Sequence, residues 1–291
     1  MDLIKEKLIP LDKSWIIRMG VLDLINECDD IIDFLDREKE LNGDLFALRQ
    51  AVKDWYKKAR IYVGESGTLL RFLRFISWKY DLDKDFVTKG TLKRRKINTN
   101  PEIVNWPLVK LIELDHGTSQ WASAAVLTGR NEKIKNPPFK LKLTFEALDH
   151  WNKMRGDRKK WEAKYDDNIL RQANAFMELL KGKRVNFKAM QAEDYCFARA
   201  FGFISKEEGE EKWPSLRGHE SNRVEEMEKE MKYFDDNKEI KSKDHRVVQA
   251  MSMLAQIKGK NVKIAYPESV NKSWPQFWKF VDYCSDKQKI I

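Results

Sequence analysis

The chemistry this sequence offers begins at Gly64-Glu65-Ser66-Gly67-Thr68-Leu69-Leu70-Arg71. Gly64 and Gly67 permit a tight bend and a close backbone approach. A turn that opens a helix aims N–H groups outward and receives anions. Thr68 adds a hydroxyl, and Arg71 lies one turn further on. The same residues also suit a plain strand–turn–helix corner with Gly67 as its bend. The stretch is neither a Walker loop, since no Gly-Lys-Ser/Thr follows, nor a dinucleotide fingerprint. Two basic places accompany it. Lys13 and Arg18 bracket a helix opening, and Lys89, Lys93, Arg94, Arg95 and Lys96 form a dense basic loop. Each is either an anion contact or a solvated surface.

Three more polar turns precede apolar helical segments. Asp115-His116-Gly117-Thr118-Ser119-Gln120 leads into 121–127, Ala192-Glu193-Asp194 into 195–204, and Asp244-His245-Arg246 into 247–255. Lys272 stands before Ser273-Trp274-Pro275. A proline there suits the first turn of a terminal helix. The lysine ammonium is then set beside an N-terminus that favours anions.

These turns need elements to hold them. Short strands are expected at 7–9, 61–63, 85–90, 109–114 and 260–265. Three- and four-residue apolar spacing predicts helices at 15–22, 31–41, 45–56, 69–76, 141–151, 168–180 and 224–234, with a last one over 271–280. The recurrence of polar turn and apolar helix points to stacked α/β units. The very polar 155–164 stretch marks a boundary between two domains. Trp15, Trp55, Trp121 and Trp274 lie in apolar helical contexts and are expected in the core.

Composition sets the remaining bounds. With 291 residues there is room for two packed domains, and 42% hydrophobic content means that most of the chain folds. The net charge of +9 suits anionic small molecules, nucleic acid or a membrane surface. Positive and negative side chains are mixed almost throughout, with no block of pure Lys/Arg resembling a nucleic-acid arm. Cys28, Cys196 and Cys284 are isolated, which argues against a disulfide framework. His116, His150, His219 and His245 lack metal spacing. The N-terminus lacks an apolar leader and no run is long enough to span a bilayer, so a soluble cytoplasmic protein is expected.

Taken in order, the motifs resemble the enolpyruvyl transferase family, in a shortened and divergent form closest to its EPSP synthase branch. Lys13-Ser14 with Arg18 resembles the family's opening Lys-Ser and following Arg. Gly64 to Arg71 resembles its Asn-Ala-Gly-Thr stretch, and Thr118-Ser119-Gln120 its Ser-Ser-Gln turn. Asp194 resembles its catalytic aspartate. Glu220-Ser221-Asn222-Arg223 resembles Glu-Ser/Thr-Asp-Arg, Asp244-His245-Arg246 matches unchanged, and Lys272-Ser273-Trp274-Pro275 resembles the closing Lys-Ser/Thr-Phe-Pro. The sequence departs from the pattern at Glu65, at His219 in place of a lysine, and at Asn222 in place of an aspartate. It is also well short of six full units.

The resemblance implies an α/β fold of two domains built from repeated βαβαββ units, some shortened or missing. Residues 13–155 would form the first domain. Residues 156–291 would form the second, completed by an N-terminal strand within 1–12. The implied activity is transfer of an enolpyruvyl group from phosphoenolpyruvate to a hydroxyl of shikimate 3-phosphate or a related acceptor, within the shikimate pathway, releasing phosphate. Asp194, Glu220, Lys272 and Lys13 would be catalytic. Lys13, Ser14, Arg18, Thr118, Ser119, Gln120 and His219 would hold the acceptor. Gly67, Thr68, Arg95, Gln120, Arg223, Arg246 and Lys272 would hold phosphoenolpyruvate. No metal or organic cofactor is required. The partners are anionic small-molecule substrates, with no nucleic acid or membrane, and the protein is a monomer. The alternatives are an inactive or repurposed relative of that family, and a basic nucleic-acid-binding protein that stacks its tryptophans on bases.

Overall fold

Apolar residues recur at helical spacing along most of this chain, and the chain is helical almost wherever they do. The computed structural model describes residues 2–4, 6–130, 141–154, 163–216, 222–236 and 239–288. The chain divides into two compact units. The first is Leu11–Lys164, and the second joins Met1–Pro10 to Tyr165–Ile291.

In the first unit α1 (Lys13–Ile25) is capped by Asp12, whose carboxylate accepts the Trp15 amide at 3.0 Å. Its residues 15–24 are all buried, so it is an interior helix rather than a surface one. It packs with α2 (Asp30–Arg37) and α3 (Gly43–Trp55), which is capped by Asn42. β1 (Arg60–Gly64) follows, then α4 (Gly67–Lys79), then β2 (Asp85–Thr88). β1 and β2 pair in parallel with Arg60 beside Asp85, so α4 is the crossover of a single βαβ unit. Three short pieces come next: the 3-10 turns Gly90–Arg94 and Pro101–Asn105, and the helical turn α5 (Leu108–Leu111). Then follow α6 (Leu114–Gly117), α7 (Gln120–Leu127) and α8 (Lys142–Met154).

The second unit carries α9 (Asp167–Leu180), α10 (Tyr195–Ala200), α11 (Lys206–Lys212) and α12 (Arg223–Lys232). β3 (Glu239–Ile240), α13 (His245–Ile257) and β4 (Lys263–Ile264) form a minimal parallel pair with its crossover helix, and α14 (Phe277–Gln288) ends the unit. Its core gathers Phe176, Phe197, Met251, Phe277 and Phe280 around Trp274. The Trp274 ring lies 4.9 Å from Phe280 and 5.3 Å from Phe277, and its N–H donates to the Leu8 carbonyl at 2.8 Å.

The expected architecture is overturned. Among the described residues the only sheets are two parallel pairs, with strands of five, four, two and two residues. Repeated βαβαββ units need extended sheets that these strands cannot form, so neither the enolpyruvyl-transferase fold nor membership of that family stands. Local causes are visible. The strand expected at 109–114 is replaced by α5 and α6, because Leu108 and Leu111 are buried while Val109 is 68% exposed. That is helical spacing, not alternation. The strand expected at 7–9 is a turn, with Lys7 at a φ of +54°. The strand expected at 260–265 shrinks to β4. Trp15, Trp55, Trp121 and Trp274 are buried, which removes them as surfaces on which bases could stack. Among the described residues no helix is long and apolar enough to cross a membrane.

Gly209 in α11 makes a clear test of this packing. An Ala there gains about 1 kcal/mol of helix propensity. Its Cβ would, however, overlap the fully buried Tyr195 ring, and overpacking costs about 1–3 kcal/mol. Denaturant unfolding of Gly209→Ala is therefore expected to show a net loss of stability. A gain would mean that Tyr195 is not held where the packing puts it.

Candidate functional site

The first unit builds a polar cluster where α4 begins. Gly64 takes a φ of +58°, and the β1–β2 register slips between Tyr62 and Gly64, so the chain bends out of the strand there. Ser66 caps α4, accepting the Leu69 amide at 3.4 Å. The Gly67 and Thr68 amides precede the first intrahelical bond and find no acceptor among the described residues. Side chains on a helix lean toward its N-terminus. Arg71, one turn in, leans back in this way, and its Nη1 donates to the Gly67 carbonyl at 3.2 Å.

Arg71 is 8% exposed and reaches across three elements. Its Nε donates to Asp115 Oδ2 at 2.6 Å and its Nη1 to Gln120 Oε1 at 2.7 Å. Gln120, the first residue of α7, passes its amide N–H to Thr68 Oγ1 at 2.8 Å. Asp115 also accepts the Trp121 indole N–H at 2.8 Å and the Asn98 amide at 3.0 Å. Burial pulls the Arg71 pKa down, Asp115 opposes that, and nearby Arg95 adds to it. The Arg95 guanidinium lies over Gly67. A Cβ on Gly67 would stand 2.9 Å from Arg71 Nη1 and 3.4 Å from Arg95 Nη1. Thr118 Oγ1 accepts the Gln120 amide at 3.4 Å, and Ser119 stands at the N-cap of α7. Among the described residues Arg71 Nη2 has no acceptor.

A second buried arginine lies further along α7. Arg18 Nε donates to Thr144 Oγ1 at 2.9 Å, its Nη1 to the Ser14 carbonyl at 2.7 Å, and its Nη2 approaches Ser123 Oγ at 3.5 Å. Every one of these acceptors is neutral. Burial pulls its pKa down to about 10, with Asp12 opposing, so it remains charged at neutral pH. Gln120 and Ser123 are three residues apart, so Arg71 and Arg18 meet the same face of α7. Lys13, in the first turn of α1, pairs with Asp44 at 3.0 Å.

The remaining expected site residues belong to the second unit. Asp194 is fully buried. Its Oδ1 accepts from Gln172 at 2.8 Å, and its Oδ2 accepts from Arg171 and the Met190 amide at 2.9 Å and from the Gln191 amide at 3.2 Å. A carboxylate with these four donors holds a loop together. Arg223 Nε meets Asp244 Oδ2 at 3.0 Å, and Asp244 caps α13. Arg246 is 4% exposed and approaches Gln172 Oε1 at 3.5 Å. Lys272 ends the 3-10 segment Pro267–Lys272, and its neighbour Ser273 accepts from Gln249 at 3.1 Å. Burial pushes the nearby Cys196 thiol up to about 12. His219 and Glu220 lie outside the described residues. Among the described residues no group of His, Cys, Asp and Glu side chains is arranged to hold a metal.

Sequence reasoning did not find Asp115 as the partner of Arg71, nor Ser123 and Thr144 as those of Arg18, nor Arg171 and Gln172 as those of Asp194. Gln172 carried a signal, being a polar residue on the apolar face of α9. Comparison with protein-family models, with curated proteins and with solved structures finds no match for this chain. The assignment as a carboxyvinyl transferase of the EPSP synthase type, with its place in aromatic amino acid biosynthesis, is overturned by the fold, whose described sheets are two short parallel pairs. The inactive-relative alternative falls with it, because both rested on the same fold.

Asp194 is expected to matter for stability. Asp194→Ala removes the acceptor of the buried Gln172 side chain and of two backbone amides, while Arg171 keeps Lys188 and Asn168, and each buried donor left unsatisfied costs about 1–3 kcal/mol. Urea unfolding should show that loss. A loss below about 1 kcal/mol, typical of a surface pair, would mean that the network is dispensable.

Proposed function

We propose that this chain binds a small anionic molecule through a phosphate or carboxylate group at the opening of α4. One observation carries the reading. Arg71 is more than nine-tenths buried, commits Nε and Nη1 to protein acceptors, and at a helix N-terminus its Nη2 meets no acceptor among the described residues. Two open amides and the Arg95 guanidinium adjoin it.

The physical case is additive. The N-terminus of a thirteen-residue helix carries about half a positive charge. Its first amides point at an incoming ligand. A guanidinium offers planar paired donors that match carboxylate and phosphate oxygens. Burial strengthens each interaction by lowering the local dielectric. Asp115 offsets Arg71, and Arg18 on the same face of α7 donates to neutral acceptors with Asp12 acting on it at longer range. What favours an anion is therefore the convergence of N–H donors at the helix opening, not a surplus of fixed positive charge. Thr68, Ser119 and Gln120 supply the neutral hydroxyl and amide groups around it. The partner is thus a small anion rather than a nucleic acid.

Gly67→Ala tests the reading at a position where alanine is a good residue for a helix, with circular dichroism and thermal melting to check that the fold is kept. Its Cβ would crowd Arg71 Nη1 and Arg95 Nη1, the guanidinium groups that adjoin the amides. Titration calorimetry with inorganic phosphate is expected to show saturable binding to the unaltered protein. Binding to Gly67→Ala should be at least about tenfold weaker, the loss of one charged hydrogen bond. Equal affinities would remove the α4 opening as the site.

A further inference from the structure

Glu65 stands beside this cationic site, yet its carboxylate is turned away into the loop that carries Arg95. The Glu65 carboxylate packs on Gly90, which has a φ of +54°. A Cβ at Gly90 would overlap it, so glycine serves there both for the backbone angle and for the close approach. Glu65 Oε2 accepts the Thr91 amide at 3.3 Å and the Thr91 hydroxyl at 3.2 Å. A hydroxyl has one proton to give. With that proton turned to Glu65, Thr91 Oγ1 presents its lone pairs to Arg95 Nη2 at 3.2 Å. The chain of donors therefore runs one way, from guanidinium to hydroxyl to carboxylate. Leu92, 3% exposed, anchors the same 3-10 turn.

We infer that Glu65 is a positioning residue of the anion site, holding the Arg95 guanidinium over Gly67 through the Thr91 hydroxyl. This rests on the reading of the α4 opening as that site. A bare carboxylate so near an anion would weaken binding by repulsion. Tied to Thr91 and set against Gly90, it fixes a cation instead. The sign of its removal separates the two roles. Repulsion alone predicts tighter binding without Glu65, and positioning predicts weaker binding.

The test uses the full chain, inorganic phosphate as the probe, and the variants Glu65→Ala, Glu65→Gln, Thr91→Val and Arg95→Ala. Glu65→Ala and Thr91→Val should each weaken phosphate binding about tenfold, while Glu65→Gln, which keeps an acceptor oxygen, should stay within about threefold. Glu65→Ala combined with Arg95→Ala should bind no more weakly than Arg95→Ala alone, because both act through one guanidinium. Unchanged or tighter binding in Glu65→Ala, or losses that multiply in the double variant, would overturn the proposal. A second measurement does not depend on phosphate affinity. Solvent exchange of the buried Arg95 Nε–H, followed by nitrogen-15 resonance, should accelerate in Glu65→Ala and Thr91→Val and return to its original rate in Glu65→Gln. Unchanged exchange in Glu65→Ala would overturn the role of Glu65. If the unaltered protein binds no phosphate, the site reading fails, and the exchange rates still decide what Glu65 does.

Discussion

The Asp115 carboxylate is the interaction on which the first unit's polar centre depends. Its side chain is almost wholly buried and takes the Arg71 guanidinium, the Trp121 indole N–H and the Asn98 amide. Those donors come from α4, from α7 and from the loop after Arg95. A carboxylate taken out of water must be satisfied or it destabilises the fold by several kcal/mol. The three elements are therefore held at one spacing, and Arg71 cannot leave α4's N-terminus without stranding Asp115. Asp115 takes a φ of +50° to reach them, strain that the three bonds hold in place. Packing repeats the constraint beneath, where Trp121 stacks on Trp78 at 5.7 Å and Arg74 lies over Trp78.

The second unit solves a similar problem with the same pairing of charges. There the buried carboxylate is Asp194, and its donors come from α9 and from the loop just before Asp194. Both oxygens of that carboxylate accept from protein donors, one of them from three, so its geometry suits a structural tie. Arg71 differs because one of its terminal nitrogens meets no acceptor among the described residues. The distinction between a tie and a binding group thus rests on how the donors and acceptors are matched, not on residue type.

What the sequence revealed follows from the range of the forces. The strand at 61–63, the bend at Gly64 and the helix that begins at Gly67 depend on neighbours within a turn or two, and Leu69, Phe72, Leu73 and Ile76 mark that helix plainly. The error came from reading layout as topology. A polar turn before an apolar helix is the N-terminus of any capped helix, so its recurrence at 115–120, 192–194 and 244–246 did not require strands between. Apolar runs such as 109–114 are ambiguous until burial separates Leu108 and Leu111 from Val109. The partners of buried charges were not legible at all. Asp115 lies 44 residues from Arg71, and Thr144 lies 126 from Arg18. Only the folded chain brings them together.

The central claim is that Arg71 Nη2, the Gly67 and Thr68 amides and Arg95 form one anion site. The most direct measurement is a crystal structure of the protein soaked in selenate, located by its anomalous scattering. The account predicts an anion at the opening of α4, within hydrogen-bond distance of Arg71 Nη2 and of both amides. Selenate bound only on exposed lysines, with that opening filled by protein side chains, would contradict it.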